Sequence, residues 1–255
     1  MSALRKLAIA LGGATTFCAG VSLAIVCASP AAPAPVRLND TDRLRVFDAG
    51  AAAFEAHVEA AERAFGVGME DRRRALVARA RGHVVEVCAG AGRNTALYPG
   101  GLASLTLVDF APGALALAAA RQPPLGAPVP RVLVADSHAL PLPDASADTV
   151  VDTFGLCSLR DPQGALAEWA RLLRPGGELL LLEHGRSGWC APVNFVLDRG
   201  AGGHERQWGC AWNLDVEKMV RGAAGGAGLD VVGVTRHHWG TTTALVLRKR
   251  AGATA

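Results

Sequence analysis

Long basic blocks are missing from this chain. Lysine and arginine total 26 against 23 acidic residues, a formal charge of +3. Arg5 and Lys6 belong to the N-terminal segment, which leaves about +1 for the rest. A nucleic-acid backbone is gripped by a basic patch or stripe. The one triplet here, Arg72-Arg73-Arg74, reads instead as the solvated face of a connecting helix, so no nucleic-acid partner is expected. Zinc-type spacing is missing as well. There is no C-x-x-C, and His204 near Cys210 is too little by itself, so no metal is expected. Of the six cysteines, Cys18 and Cys27 read as small apolar residues in an apolar segment and Cys157 as core. Cys190 and Cys210 are the pair an oxidising compartment could join. Internal repeats and a long disordered tail are absent, and only residues 251–255 read as a frayed end.

What is present suits one sizeable core. A chain of 255 residues accommodates a single domain of about 200 residues. Its most informative stretch is Val84-Val85-Glu86-Val87-Cys88-Ala89-Gly90-Ala91-Gly92-Arg93-Asn94. This is a buried strand that stops in a glycine turn and feeds a helix. Gly90 and Gly92 carry no Cβ, so the backbone can approach a ligand there. A second apolar run, Leu105-Thr106-Leu107-Val108, ends in Asp109, seventeen positions after Gly92. An acidic residue so placed accepts hydrogen bonds from ribose hydroxyls. The dinucleotide pattern G-x-G-x-x-G fits poorly, because Thr95 stands where its third glycine belongs.

The N-terminal segment is separate in character. From Leu7 to Ser29 there is no charged residue, and 23 helical residues rise about 35 Å, enough for a hydrocarbon core of about 30 Å. Gly12, Gly13 and Gly20 would allow close approach of a partner helix in a membrane. Pro30, Pro33 and Pro35 end the helix and begin a stiff spacer. The expectation is a retained single-pass anchor over residues 1–29, a Pro-rich linker over 30–46 and a globular domain over 47–255. A secretory signal cleaved after Ala28 and a cleaved organelle presequence are the alternatives.

Further along, Arg131-Val132-Leu133-Val134-Ala135 is a third strand that runs into Asp136-Ser137. The stretch ADSHALPLPDASAD, a fourth apolar run at Thr149-Val150-Val151, a helix over 163–173 and LLRPGGELLL follow in order. These segments resemble the successive motifs of the class I S-adenosyl-L-methionine (SAM) methyltransferases, with Glu86 to Gly92 similar to their first motif. Cys88 takes the place of the first glycine of the usual E-x-G-x-G-x-G. The segments LCSLRDP, LLEHGRS, HERQWGCAWN and HHWGTT resemble a narrower group, the membrane-anchored methyltransferase-like proteins of the mitochondrial inner membrane in fungi and protists. That group is related to membrane-bound thiol methyltransferases and to quinone-biosynthesis methyltransferases.

The resemblance implies an α/β fold, a Rossmann-like seven-stranded mostly parallel sheet with an antiparallel last strand, preceded by the membrane helix. The last two strands, near Asp230 to Val234 and Ala244 to Leu247, have the short connection an antiparallel pair needs. The resemblance also implies SAM as cofactor, held by Glu86, Gly90, Gly92, Asp109, Asp136, Ser137 and Phe154. Phe154 and Leu156 would floor the methionine part and border the acceptor, and Phe47 and Phe54 match an aromatic segment over the site. An ordinary amphipathic helix explains those two phenylalanines equally well. His184, at a strand end, is the candidate base, because an imidazole titrates near working pH. A histidine bonded to nearby backbone is the competing reading. Trp208 and Trp212 read either as site residues or as core, with Asn213 as a helix N-cap. The expected activity is methyl transfer to a small, apolar or lipid-like acceptor. The alternative is a catalytically silent subunit of a mitochondrial membrane complex, since fold alone does not guarantee chemistry.

Overall fold

The computed structural model describes residues 38–65 and 68–252. The anchor expected at residues 7–29 lies outside them. Among the described residues no helix is long and apolar enough to cross a membrane.

Seven strands form one sheet: β1 (His83–Val87), β2 (Ser104–Asp109), β3 (Arg131–Val134), β4 (Ala147–Thr153), β5 (Leu173–His184), β6 (Leu229–His237) and β7 (Thr242–Lys249). Their order is β3-β2-β1-β4-β5-β7-β6. β1 to β5 are parallel, while β7 runs antiparallel to both β5 and β6. The sheet expected from the sequence is therefore the sheet observed.

Seven α-helices accompany it among the described residues: α1 (Asp40–Leu44), α2 (Ala51–Phe65), α3 (Met69–Val77), α4 (Pro112–Ala119), α5 (Pro162–Leu172), α6 (Ala191–Trp208) and α7 (Val216–Ala224). A π-helical turn, Arg45–Ala49, joins α1 to α2. Helical structure thus begins at Asp40, inside the stretch read as linker. The cap of α7 also differs from the reading. Asp215, not Asn213, accepts the Lys218 N–H, and Asn213 bonds Asp198.

Strand alternation sorts the core onto both faces of the sheet. Leu179 and Leu181 of β5 join Val85, Val87, Val150, Trp169 and Val220 on one face. Leu180 and Leu182 join Val84, Leu107, Leu76, Leu115 and Ala118 on the other. A parallel sheet needs this double cover, which is why its central strands read as continuous apolar runs. Each fully buried leucine contributes about 1.5–3 kcal/mol, and β5 buries four in succession, Leu179 to Leu182. Its carboxyl end, at His184, is correspondingly well fixed.

Candidate functional site

The strand order reverses between β1 and β4, and a ligand crevice forms at such a point, outside the carboxyl ends of the strands. A cavity of about 1220 Å³ lies there. Along this edge the loops deliver Asp136 and Ser137 after β3, Asp109 at the end of β2, Gly90 after β1, Phe154 after β4 and His184 at the end of β5, all lining the cavity.

The turn after β1 is built from left-handed residues. Cys88, Gly90 and Gly92 have φ of 49°, 51° and 68°. A Cβ on Gly92 would stand 2.8 Å from the Ala118 Cβ of α4, whereas a Cβ on Gly90 would meet nothing within 4 Å. Gly92 seats a helix, and Gly90 opens the floor to a ligand. Cys88 occupies a conformation that glycine adopts more easily, and its Sγ lies 3.2 Å from Ser137 Oγ. Asp109 accepts hydrogen bonds from the Gly90 and Ala111 N–H groups at 2.8 and 2.9 Å. Burial nevertheless pushes its carboxyl above the ordinary value against those N–H groups.

Glu86 is buried beneath the turn. It accepts bonds from Asn94 Nδ2 at 3.0 Å and from the Tyr98 hydroxyl at 2.7 Å. Burial lifts its pKa to about 7, opposed by those two donors. Asn94 also donates to Thr153 Oγ1. Arg73 NH1 donates to Asn94 Oδ1 at 3.2 Å and to Thr153 Oγ1 at 2.8 Å, and its guanidinium lies over the Phe154 ring, 4.9 Å from the centroid. The middle arginine of the triplet is therefore buried at the cavity wall, not part of a solvated face. Glu62 holds both Arg73 and Arg93, and Glu55 holds Arg93 and Arg121, so ion pairs tie α2 to the glycine turn.

The lid over the cavity is α1, the π turn and α2. Phe47 packs edge-on to Phe54 and Phe110 at 5.3 and 6.0 Å between centroids, and Phe54 meets Trp208 of α6 at 5.7 Å. Phe47, Phe54, Trp208 and Trp212 all line the cavity. Asp48 Oδ1 accepts the Gly113 N–H, and a Cβ on Gly113 would stand 2.7 Å from that oxygen. That glycine lets the lid dock on the start of α4.

The expected place of Leu156 needs correction. Leu156 is fully buried in the core and does not line the cavity; its backbone N–H instead bonds Asp152 Oδ2. Cys190 and Cys210 are both free thiols, and Cys210 faces His184 and His204. Asp136 is bound to His138 through backbone and ring, while Ser137 is buried and its carbonyl accepts the Trp169 indole N–H. Behind the β4–β5 edge lie two buried carboxyls. Burial lifts Asp152 to about 7 and pushes Glu183 well above its ordinary range, helped by Asp152 itself.

His184 Nε2 lies 3.4 Å from Cys210 Sγ, and its ring sits 5.4 Å from that of Phe154. Burial drives its pKa down, the Cys157 sulfur drives it up, and the second effect wins. Burial, with His184 beside it, lowers His204 to about 4.

A doubly covered sheet with this strand order, a glycine turn opening onto a cavity and an acidic residue closing β2 defines a class of protein. Residues 85–181 match the family profile described as a methyltransferase domain, and that match with this site supports the class I SAM-dependent methyltransferases as the class. The cofactor of that class is S-adenosyl-L-methionine, and the residues fit it: Gly90 leaves open space at the cavity floor, with the Asp109 carboxylate beside it. More particularly, the chain is similar to the mitochondrial methyltransferase OMS1 of Saccharomyces cerevisiae, 41% identical over 103 residues, 40% of this chain and 21% of that protein. It is 36% identical over 126 residues to the demethylmenaquinone methyltransferase of Thermus thermophilus, covering 47% of this chain and 56% of that one. The chain thus spans between about a fifth and a half of the length of these relatives. Its fold resembles the methyltransferase bound to the Trm112 methyltransferase activator of Haloferax volcanii. The TM-score is 0.58 at 21% identity, over 80% of this chain and 98% of that one.

Proposed function

We propose that this chain is a membrane-tethered methyltransferase that uses SAM to methylate a small, apolar, quinone-like acceptor. The observation that carries this reading is the division of the cavity. Asp109, Asp136 and Ser137 line it at the ends of β2 and β3, while Phe154 follows β4, His184 ends β5, and Trp208 and Trp212 come from α6 and the segment after it. A polar nucleoside and an apolar acceptor are what such halves accommodate.

SAM, when bound, supplies a methyl group already activated on a sulfonium. The chain's residues therefore position donor and acceptor, which alone can be worth up to ~7–11 kcal/mol. Asp109 receives the ribose hydroxyls, Asp136 and Ser137 border the adenine, and Gly90 admits the backbone approach. Glu86, through Asn94 and Tyr98, holds the turn in place. Arg73 brings a cation beside Glu86 and Phe154, suited to the carboxylate end of the cofactor. Phe47 and Phe54 close over the site and exclude water. For a hydroxyl or thiol acceptor, the His184 imidazole takes the proton.

The tether is the uncharged segment at residues 7–29, and the proposed location is the mitochondrial inner membrane, crossed once. The similarity to a yeast protein named as mitochondrial supports the organelle. Similarity to demethylmenaquinone methyltransferases supports a ring-bearing apolar acceptor. The test is transfer of labelled methyl from SAM to quinone, thiol and lipid panels by the full chain in detergent. Label on a quinone-type acceptor supports the reading. SAM binding with no label on any acceptor would favour a silent subunit of a membrane complex.

A further inference from the structure

We propose that Cys157, His184, His204 and Cys210 bind one thiophilic divalent metal ion of the zinc class at the inner wall of the cavity. The ligand atoms of Cys157, His184 and Cys210 all lie within 4.8 Å of one another. Cys210 Sγ is 3.4 Å from His184 Nε2 and 3.1 Å from His204 Nε2. Zinc takes sulfur at about 2.3 Å and imidazole nitrogen at about 2.0–2.1 Å in a tetrahedron, which sets ligand-to-ligand edges near ~3.3–3.8 Å. The two edges from Cys210 to His184 and His204 already lie near that range, and Cys157 stands within 4.8 Å of Cys210 and His184.

Their backbones hold them there. Cys157 sits in a short 3₁₀ turn after β4, and His184 ends β5. His204 lies in the last turns of α6, stacked on Trp212 with ring centroids 4.0 Å apart. The left-handed Gly209 ends that helix and turns the chain so that Cys210 comes back under His204. The Ala211 N–H then bonds the Cys157 carbonyl at 2.8 Å, which pins one cysteine segment to the other. The Trp212 indole is held by the Leu197 carbonyl at 2.8 Å. On coordination the two thiols release their protons to solvent and bind as thiolates. Two thiolates cancel the charge of the ion, so the loaded cluster is neutral, as its buried position requires.

The ion would clip α6 and the Gly209-to-Trp212 segment to β4 and β5, which fixes the wall that an acceptor meets. This goes beyond the methyl-transfer reading and alters one part of it. With metal bound, His184 is a ligand, and its role as proton acceptor belongs to the metal-free protein.

The test uses the full chain in detergent, reduced and stripped of metal, titrated with cobalt(II). The expected result is one cobalt per chain, a thiolate-to-cobalt charge-transfer band, tetrahedral d–d bands and displacement by zinc. The charge-transfer band should vanish in a Cys157→Ser, Cys210→Ser double variant. His204→Gln, a change less disruptive to folding, should weaken cobalt binding at least ~10-fold. SAM binding measured on the same samples reports folding and judges the methyltransferase reading separately. A wild-type sample that binds SAM but shows no charge-transfer band would overturn the metal site. So would a band that persists in the double variant.

Discussion

The Asp109 carboxylate and the Gly90 N–H are joined by a 2.8 Å hydrogen bond between the end of β2 and the turn after β1. One acidic residue thereby shapes the floor of the cavity and also faces it. Asp109→Ala removes the acceptor for two backbone N–H groups, that of Ala111 buried and that of Gly90 half-buried. Hydrogen bonds to a charged group contribute about 1.5–3 kcal/mol each. Calorimetric titration should show SAM affinity falling at least ~10-fold, with a cooperative but less stable fold by circular dichroism. Undiminished affinity would place the cofactor elsewhere.

Gly90 and Gly92 should respond differently to substitution. Both have left-handed backbones, so any side chain costs about 1–2 kcal/mol there. Gly92→Ala adds a methyl group 2.8 Å from Ala118 and should cost a further ~1–3 kcal/mol from overpacking. Gly90→Arg meets no protein atom with its Cβ. It should keep most of its stability and lose SAM binding. Denaturant unfolding and titration of both variants check the contrast, which would fail if Gly90→Arg were the less stable.

The Glu86 carboxyl gives a pH signature. Burial lifts its pKa from 4.5 to about 7. Between those values the folded protein holds a proton that the unfolded chain has lost, so stability falls as pH rises through that window. The shift corresponds to about 3 kcal/mol. Urea unfolding should therefore show Glu86→Gln losing less stability than wild type between pH 4.5 and 7. Parallel curves for the two proteins would contradict the assignment. Asp152, raised to about 7 as well, should leave a residual slope of the same sign in the variant.

Arg73 should matter to both binding and stability. Its NH1 bonds Asn94 and Thr153, its NH2 bonds Glu62, and the guanidinium lies over Phe154. Arg73→Lys keeps a charge but not the planar fork. We expect SAM affinity to drop about 10-fold and the thermal midpoint to fall, measured by titration and scanning fluorimetry. A drop in midpoint with unchanged affinity would confine Arg73 to a structural role.

Much of this was legible in the sequence because parallel strands are covered on both faces. β1, β2, β4 and β5 therefore announced themselves as apolar runs, the last three ending in a polar residue and β1 running into the glycine turn. Gly90, Gly92 and Asp109 followed from those ends. Leu156 was misplaced because the 3₁₀ turn after β4 rotates it into the core while Phe154 stays at the cavity. Arg73 was hidden in a triplet whose charge suggested solvent, since no local pattern shows that Asn94 and Thr153 converge on it. The Asp48–Gly113 contact joins residues 65 positions apart. Cys157, His184, His204 and Cys210 come from segments that only the finished sheet brings together.

The most direct measurement is calorimetric titration of the full chain in detergent with SAM and with S-adenosylhomocysteine. One site per chain is expected for each compound, of roughly micromolar affinity, the two competing with one another and both lost in Gly90→Arg. A folded, ligand-free wild-type protein that binds neither compound would contradict it.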